Sequence, residues 1–339
     1  MRSHLPRLDS ARQKFTISPV AHREVPVAGN LFAVLPSPAV GGNRIISAVL
    51  CAVLVLGQVV ASAARADGAD TFPPLRESFD PALQRGLERV VERVGLGEAA
   101  RRGRLALALV DISDLNDPRV AEVNGDKMYY AASLPKIAIL LGAFVQIERG
   151  KMRLDRDTRD SLTRMIRVSS NEDATRMLNR VGKGALIDIL RSERYRLYDP
   201  QVNGGLWVGK EYGRSPAYRR DPLHNLSHGA TAMQVARFYY LLESGRLMSP
   251  RLSREMKTML GDPGIRHKFV KGLANRPGAR IYRKSGTWRN YHADSALVEA
   301  GKRRYIAVGL AEDARGGEWL EHLIGPMHDL VVPRRLASR

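Results

Sequence analysis

The spacing of the apolar residues changes twice along this chain, from a strand-like period to a helical one and back again. Helical spacing holds from Leu134 to about Leu260. Short apolar runs typical of strands lie on either side of it, at residues 105–111, 120–123, 281–287, 296–299 and 305–310. This order predicts an α/β fold of the α+β kind, with one antiparallel sheet built from both chain ends, flanking helices and an inserted all-helical lobe. We expect a site in the cleft between the two lobes.

Further elements are predicted around these segments. Asp80-Pro81 caps an amphipathic helix that stops at Gly95, and a second amphipathic helix runs from about Glu318 to Leu330. Residues 300–302 predict a hairpin turn between the last two strands. Between Tyr195 and His228 the helical pattern lapses into a stretch containing Gly, Pro and Tyr, and a loop of that length is more often functional than accidental.

The start of the chain has the pattern of an export signal. Arg44 precedes an apolar run over Ile45–Val60, and the small-residue stretch ASAARA follows it. Cleavage after Ala66 would leave a mature chain beginning at Asp67, and cleavage two or three residues earlier is an alternative. An uncleaved membrane anchor is the rival interpretation, but the run is short and leads directly into a cleavable sequence. We expect a periplasmic or secreted protein.

The predicted organisation is a leader over residues 1–66 and one domain over residues 67–339. Its sheet lobe comprises residues 67–125 and 262–339, and its helical lobe comprises residues 126–261. The only cysteine, Cys51, lies in the leader, so the mature domain can form no disulfide and no thiolate metal site. We expect the domain to be a monomer.

The charge is strongly positive. The whole chain carries +19, and the leader accounts for seven Lys/Arg less two Asp/Glu, or +5, which leaves +14 on the mature part. Because the leader directs the chain out of the cell, we expect contact with anionic cell-wall polymers and no nucleic-acid partner. The alternative is an Arg-rich soluble surface with no polyanion partner.

A serine and a lysine lie three residues apart in Ser133-Leu134-Pro135-Lys136, where the first central helix begins. Pro135 suits the first turn of a helix, and residues three apart share a helix face, so the Lys136 amine can reach the Ser133 hydroxyl. A lysine whose pKa is lowered by burial can accept the proton of a serine nucleophile. The alternative is a helix cap beside a solvated lysine.

Two further triplets follow in order. Ser169-Ser170-Asn171 is the only S-x-N sequence, and Lys284-Ser285-Gly286 is the only K-[ST]-G sequence. The first triplet precedes a predicted helix and the second lies on a predicted strand near the C-terminus, a context that matches a known set of catalytic motifs.

Together these motifs resemble the penicillin-recognising serine enzymes, a superfamily of class A β-lactamases and D-alanyl-D-alanine peptidases. The resemblance covers residues from about 75 to 335. It implies that Ser133 attacks a lactam or peptide carbonyl to form an acyl-enzyme, that Lys136 is the base or proton relay, and that Ser169 passes a proton to the leaving nitrogen. It implies no metal and no cofactor.

The same resemblance implies how substrate is bound. Asn171 would bond the amide side chain of the substrate and orient Lys136, and Lys284 with the Ser285 hydroxyl would hold the substrate carboxylate. The backbone N–H groups of Ser133 and Thr287 would form the oxyanion hole. The expected ligand is a β-lactam or the stem peptide of peptidoglycan.

The sequence departs from class A β-lactamases in two places. Their deacylation base is a glutamate in an E-x-x-x-N stretch, and the comparable stretch here begins with Asp199. Asp199 is the candidate base, the alternative is a simple turn, and Glu193 and Glu211 are fallback candidates. The 36 residues from Ser133 to Ser169 are fewer than is usual, so part of the helical lobe is expected to be reduced.

Two tryptophans and a histidine have open roles. Trp207 and Trp288 either line a reshaped pocket or serve as packing residues. His292 follows the lysine motif on a strand, and we interpret it as structural and not catalytic.

Three functions are consistent with these residues. The first is a class A-like β-lactamase whose acyl-enzyme is released by water. The second is a D,D-peptidase or esterase on the same scaffold with slow β-lactam turnover. The third is a non-catalytic wall-binding protein, against which the intact set of two serines and two lysines argues.

Overall fold

The computed structural model describes residues 72–333. The predicted leader and its cleavage site lie outside the described residues. The boundaries between the sheet lobe and the helical lobe stay a prediction. No helix within residues 72–333 is long and apolar enough to cross a membrane.

Strands at both ends of the described chain form one five-stranded antiparallel sheet, in the order β2-β1-β10-β9-β8. Its members are β1 (Leu105–Asp111), β2 (Arg119–Val123), β8 (Ala279–Trp288), β9 (Tyr291–Ala300) and β10 (Arg303–Glu312). Short strands lie between them in the chain: β3 (Tyr129–Tyr130), β4 (Tyr198–Asp199), β5 (Gly204–Gly205), β6 (Trp207–Val208) and β7 (His228–Ala230). The predicted fold class is confirmed.

The helices of the described residues fall into two groups. Those packed on one face of the sheet are α1 (Pro81–Arg93), α2 (Gly97–Arg101), α9 (Phe269–Gly272) and α10 (Gly316–Val331). The inserted set is α3 (Lys136–Glu148), α4 (Arg156–Arg167), α5 (Asn171–Val181), α6 (Lys183–Arg191), α7 (Ala232–Glu243) and α8 (Pro250–Leu260). The predicted cap is present, because the Asp80 carboxylate accepts a hydrogen bond from the Leu83 N–H at 2.6 Å.

The sheet is covered on both faces, which explains why β1 is continuously apolar. Along β1 the side chains of Leu105, Leu107 and Leu109 pack with those of α1 and α10. The alternate side chains of this strand belong to the second core, together with α3 and α7. Successive side chains of a strand point to opposite faces, so a sheet buried on both sides requires an uninterrupted apolar run.

The stretch between Tyr195 and His228 is more ordered than a plain loop. It contains β4, β5 and β6, and β6 pairs with β7, which in turn pairs with β3. Trp207 is fully buried there and its indole N–H donates to the Arg219 carbonyl at 3.0 Å. Trp207 is therefore a packing residue, whereas Trp288 at the end of β8 is 55% exposed.

Candidate active site

Ser133 lies in a tight turn between β3 and α3. Ala132 before it has a left-handed backbone with φ of 49°, which is uncommon for a residue other than glycine. The helix starts at Lys136, and Pro135 is its N-cap. Pro135 therefore lies just before the first helical turn, in which it was predicted. Ser133 thus precedes the helix, and its carbonyl accepts a bond from the Lys136 N–H at 3.2 Å.

The Lys136 amine makes its hydrogen bonds to Ser169 and Asn171. Its Nζ donates to the Ser169 carbonyl at 2.6 Å, to Asn171 Oδ1 at 2.8 Å and to Ser169 Oγ at 3.3 Å. These three acceptors match the three protons of an ammonium, and no hydrogen bond to Ser133 Oγ occurs within residues 72–333. The predicted pairing of this amine with Asn171 is present.

Burial changes the acid–base behaviour of Lys136. The side chain has no exposed surface, and this burial lowers the pKa of its amine to about 7. The Lys136 Nζ lies over the ring of Tyr212, 4.6 Å from the ring centroid. No carboxylate of the described chain forms an ion pair with Lys136. A neutral amine in this position can accept a proton at ordinary pH.

Ser169 connects the two lysines. Its backbone is left-handed, with φ of 61°, and its Oγ accepts from Lys284 Nζ at 3.0 Å as well as from Lys136. Lys284 is 1% exposed and also donates to the Ser285 carbonyl at 2.7 Å. Burial, followed by the nearby charge of Lys136, holds the pKa of Lys284 well below its ordinary value. The structure therefore brings together Lys136, Ser169, Asn171 and Lys284.

Strand β8 brings the third motif against the turn that contains Ser133. It is an edge strand, so only one side of its backbone pairs with β9. A Cβ atom at Gly286 would lie 2.2 Å from the Ala131 carbonyl and 2.8 Å from the Ser133 nitrogen. Any side chain at this position would collide with the turn. Glycine therefore lets the backbone of β8 approach the Ser133 turn closely.

A cavity of about 320 Å³ opens over this arrangement. Ser133, Asn171 and Thr287 line it, together with the aromatic side chains of Tyr130, Tyr212, His228 and Trp288. Thr287 is exposed, whereas Ser285, two residues before it, is buried. Ser133 thus faces open space at this cavity, whereas Lys136, Ser169, Lys284 and Ser285 are not among the residues that line it.

Asp199 lies elsewhere. Its carboxylate accepts from the Gln201 N–H at 2.9 Å and pairs with Arg196 at 3.1 Å, as the cap of a short 3-10 helix. It lines a different cavity, together with Arg76 and Arg237, and the residues lining the Ser133 cavity do not include it. The geometry thus gives no support to Asp199 as the deacylation base, and its role stays a prediction.

The fallback carboxylates differ in their placement. Glu193 is 91% exposed in its side chain and forms only a loose pair with Arg196 at 3.8 Å. Glu211 does line the Ser133 cavity, but its carboxylate pairs with Lys183 at 2.6 Å and accepts from Ser215 Oγ at 3.1 Å. These donors lower the pKa of Glu211, which makes it a weaker base.

Two residues near the site carried no sequence signal. Tyr212 lies in the stretch interpreted as functional, but no motif distinguished it from neighbouring tyrosines. Lys268 is buried behind β8 and belongs to none of the three motifs. The contacts of both depend on packing between distant parts of the chain, so only the structure reveals them.

The sequence was compared with models of protein families and with curated proteins. The model of a family described as the beta-lactamase enzyme family matches residues 99–159 and 156–331. A search of curated proteins found no match.

Among solved structures, the chain resembles PBP-A, with a TM-score of 0.57 and 18% identity over 76% of this chain and 98% of that one. It also resembles a β-lactamase from Sphaerobacter thermophilus DSM 20745, with a TM-score of 0.56 and 18% identity over 72% and 96% of the two chains. It resembles an ancestral class A β-lactamase as well, with a TM-score of 0.54 and 18% identity over 70% of this chain and 98% of that one. At these identities the likeness shows the fold alone.

Proposed function

Because the chain belongs to the β-lactamase enzyme family, we propose that it is a serine hydrolase that is acylated at Ser133 by β-lactams or by related amides, peptides or esters. The single observation that carries this proposal is the hydrogen-bonded set of Lys136, Ser169 and Lys284 beside the Ser133 turn. A binding protein has no need of two buried lysines with lowered pKa values.

Acylation proceeds in one addition and one elimination. Ser133 Oγ attacks the substrate carbonyl, and its proton passes to the neutral amine of Lys136. The carbonyl oxygen becomes an oxyanion held by the N–H groups of Ser133 and Thr287. When the C–N bond breaks, Ser169 donates its hydroxyl proton to the leaving nitrogen and regains one from Lys136, which lies 3.3 Å away.

The substrate carboxylate is placed beside Lys284 and Ser285. An anion there favours the charged form of Lys284, since opposite charges within a few ångström raise the pKa of an amine. A charged Lys284 in turn disfavours a second charge on Lys136, because the two amines share the Ser169 hydroxyl. Binding of an anionic substrate therefore promotes the neutral, basic form of Lys136.

A specific observation favours slow release of the acyl group, as in the peptidase alternative. Lys136 is covered by the Tyr212 ring at 4.6 Å and pairs with no carboxylate of the described chain. Asp199 lines another cavity, and Glu211 is held by Lys183. With no unpaired carboxylate of residues 72–333 found beside the acyl group, we expect water to attack it slowly, which suits a D,D-peptidase or esterase with slow β-lactam turnover.

Two probes distinguish these outcomes. We expect persistent labelling of the protein by a fluorescent penicillin and little hydrolysis of a chromogenic cephalosporin. Rapid turnover of the cephalosporin would favour a β-lactamase instead. Asp199→Asn tests the sequence prediction directly, because a longer-lived label in this variant would reinstate Asp199 as the deacylation base.

Export is a further part of the proposal. An apolar run and the cleavable ASAARA stretch support a mature protein that begins at Asp67 and acts on wall peptides in the periplasm or outside the cell. N-terminal sequencing of the protein recovered from an expressing bacterium should read from Asp67. If the protein is not acylated by either probe and hydrolyses neither, yet binds peptidoglycan, the non-catalytic alternative is favoured.

A further inference from the structure

A second cavity, of about 240 Å³, is separate from the one at Ser133. Three arginines line it, Arg76, Arg196 and Arg237, and Asp199 is the only carboxylate among its lining residues in the described chain. The residues that line the Ser133 cavity include none of these four. The acylation steps described above make no use of this second cavity.

Three separate parts of the chain bring the arginines together. Arg76 precedes α1, Arg196 precedes β4, and Arg237 lies on α7. The Arg237 Nε donates to the Tyr195 carbonyl at 3.0 Å. One helical turn earlier on α7, the Gln234 side chain donates to the Arg196 carbonyl at 2.9 Å. These two hydrogen bonds hold the segment before β4 against α7 and so fix one wall of the cavity.

Two of the arginines have carboxylate partners and the third does not. Arg76 pairs with Asp126 through two hydrogen bonds, at 2.6 and 2.7 Å. Arg196 pairs with Asp199 at 3.1 Å. Arg237 forms no ion pair within residues 72–333, and its two Nη atoms have no hydrogen-bond acceptor in that range. The positive charge that lacks a partner in this cavity is therefore that of Arg237.

The surroundings of Arg237 disfavour its charge. The side chain is half-buried, and burial is the main cause that lowers the pKa of its guanidinium. The charges of three neighbouring arginines, Arg246, Arg196 and Arg76, lower this pKa further, while Asp199 acts in the opposite direction. A charge held away from water without a counter-ion costs free energy, and an anion in the cavity would reduce that cost.

The size and the chemistry of the cavity indicate which anion it fits. The planar fork of a guanidinium matches the oxygens of a phosphate and can bind two of them at once. Cavities that enclose a drug-sized ligand have about 300–1,000 Å³, so a smaller one suits a single group. Three arginines against one carboxylate leave an excess of two positive charges among the lining residues. This excess favours a phosphate over a single carboxylate.

We propose that Arg76, Arg196 and Arg237 form a binding site for the phosphate group of a soluble ligand, with the Arg237 guanidinium as the principal donor to the anion. Asp199 then has a structural role at this site, because its carboxylate holds Arg196 and limits the positive charge. Binding of phosphate requires no acylation at Ser133, so the inference does not rest on the proposed function.

Titration calorimetry with inorganic phosphate and with inorganic pyrophosphate tests the site. The dissociation constants are measured at constant ionic strength for the wild type, Arg237→Gln and Arg85→Gln. In Arg237→Gln we expect both constants to rise at least about tenfold, the equivalent of one lost charge-assisted hydrogen bond. Arg85 is the matched control, because it is exposed on α1 and does not line the cavity. Arg85→Gln removes the same charge and should bind both anions as the wild type does.

Two results of this titration would overturn the proposal. One is the absence of measurable binding of either anion by the wild type, and the other is equal binding by the wild type and Arg237→Gln. If Arg237→Gln fails to fold, Asp199→Asn decides. It removes the carboxylate from the cavity and keeps an acceptor for the Gln201 N–H, so it should bind both anions more tightly. Unchanged or weaker binding by this variant would contradict the proposal.

Vesicles distinguish a soluble phosphate from a lipid headgroup. Proteins that lie on a membrane combine basic with exposed apolar side chains. The large apolar side chains exposed in residues 72–333 do not line this cavity; they are Phe79, Val168, Leu223 and Trp288. We therefore expect sedimentation with phosphatidylglycerol vesicles to be the same for the wild type and Arg237→Gln, with phosphatidylcholine as the neutral control. Vesicle binding that is lost in Arg237→Gln would overturn the assignment to a soluble ligand.

Labelling by a fluorescent penicillin keeps this inference separate from the proposed function. Arg237→Gln should be labelled at the wild-type rate, because Arg237 does not line the Ser133 cavity. Slower labelling of this variant would contradict the separation of the two sites. A wild type that is never labelled but binds phosphate through Arg237 would contradict the proposed function and support the phosphate site.

Discussion

Lys136 and Lys284 donate to the same Ser169 hydroxyl, at 3.3 and 3.0 Å. Both amines are buried, and two full charges this close together repel each other strongly in an interior of low dielectric constant. The pair therefore titrates as a unit, with the pKa of each amine below its ordinary value. The neutral amine that the proposed attack by Ser133 requires thus follows from the burial of Lys136, whose charge in turn lowers the pKa of Lys284.

The rate of acylation should depend on pH through Lys136. Its pKa is lowered to about 7, so the neutral fraction grows as the pH rises through that value and is nearly complete above it. We expect the acylation rate constant to fall about tenfold per pH unit below about pH 6 and to level off above about pH 8. Measurement of acylation by benzylpenicillin across this range checks it. A rate that rises only above about pH 9 would indicate an ordinary lysine.

The buried pair of Arg283 and Asp294 should contribute strongly to stability. Their side chains are 2% and 0% exposed, and Arg283→Met would leave the Asp294 charge without its cation. We expect a loss of about 3–5 kcal/mol in the free energy of unfolding by urea. The matched control is Arg101→Met, whose pair with Glu92 is 63% exposed on both sides and whose loss should stay below about 1 kcal/mol. Similar losses in the two variants would refute this difference.

At the scale of elements, β8 is the part of the sheet on which the site depends. Its free edge lies against the Ser133 turn, while its other edge is held by ten consecutive residue pairs with β9. The close approach is made at Gly286, where a side chain would collide with the Ala131 carbonyl. A displaced β8 would separate the Ser133 and Thr287 N–H groups of the proposed oxyanion hole.

Gly286→Ala should therefore abolish most of the acylation activity while the protein still folds. A shift of about 1 Å between reacting groups can cost on the order of 100-fold in rate, and we expect acylation to slow by at least that factor. Gly184→Ala is the control, because a Cβ there meets nothing within 4 Å. Circular dichroism of both variants should match the wild type. Undiminished acylation of Gly286→Ala would show that β8 and the turn are not coupled as described.

The elements differ in how far the sequence predicts them. The strand at residues 105–111 and the helix after Asp80 are found where the local apolar period and the capping residue predict them. The strands between Tyr195 and His228 are only two residues long, too short to show a period. The motif residues converge as expected, but the contacts of Tyr212 and Lys268 arise from packing across the fold, which no local pattern encodes.

At the scale of the whole molecule, the sheet built from both chain ends explains why motifs so distant in sequence meet. β1 pairs with β10, which brings the C-terminal hairpin of β8 and β9 into the same sheet as β1 and β2. The inserted helices then pack α3 and α5 so that Lys136 meets Ser169 and Asn171. The two cores on the faces of the sheet hold these parts together, and acylation at Ser133 is the central claim that follows.

The mass of the intact protein after exposure to benzylpenicillin, followed over time, tests that claim most directly. We predict a gain of one penicillin mass that persists well beyond the acylation step, maps to the peptide containing Ser133 and is absent in Ser133→Ala. A wild-type protein that never gains this mass, or a Ser133→Ala variant that gains it equally, would contradict the account.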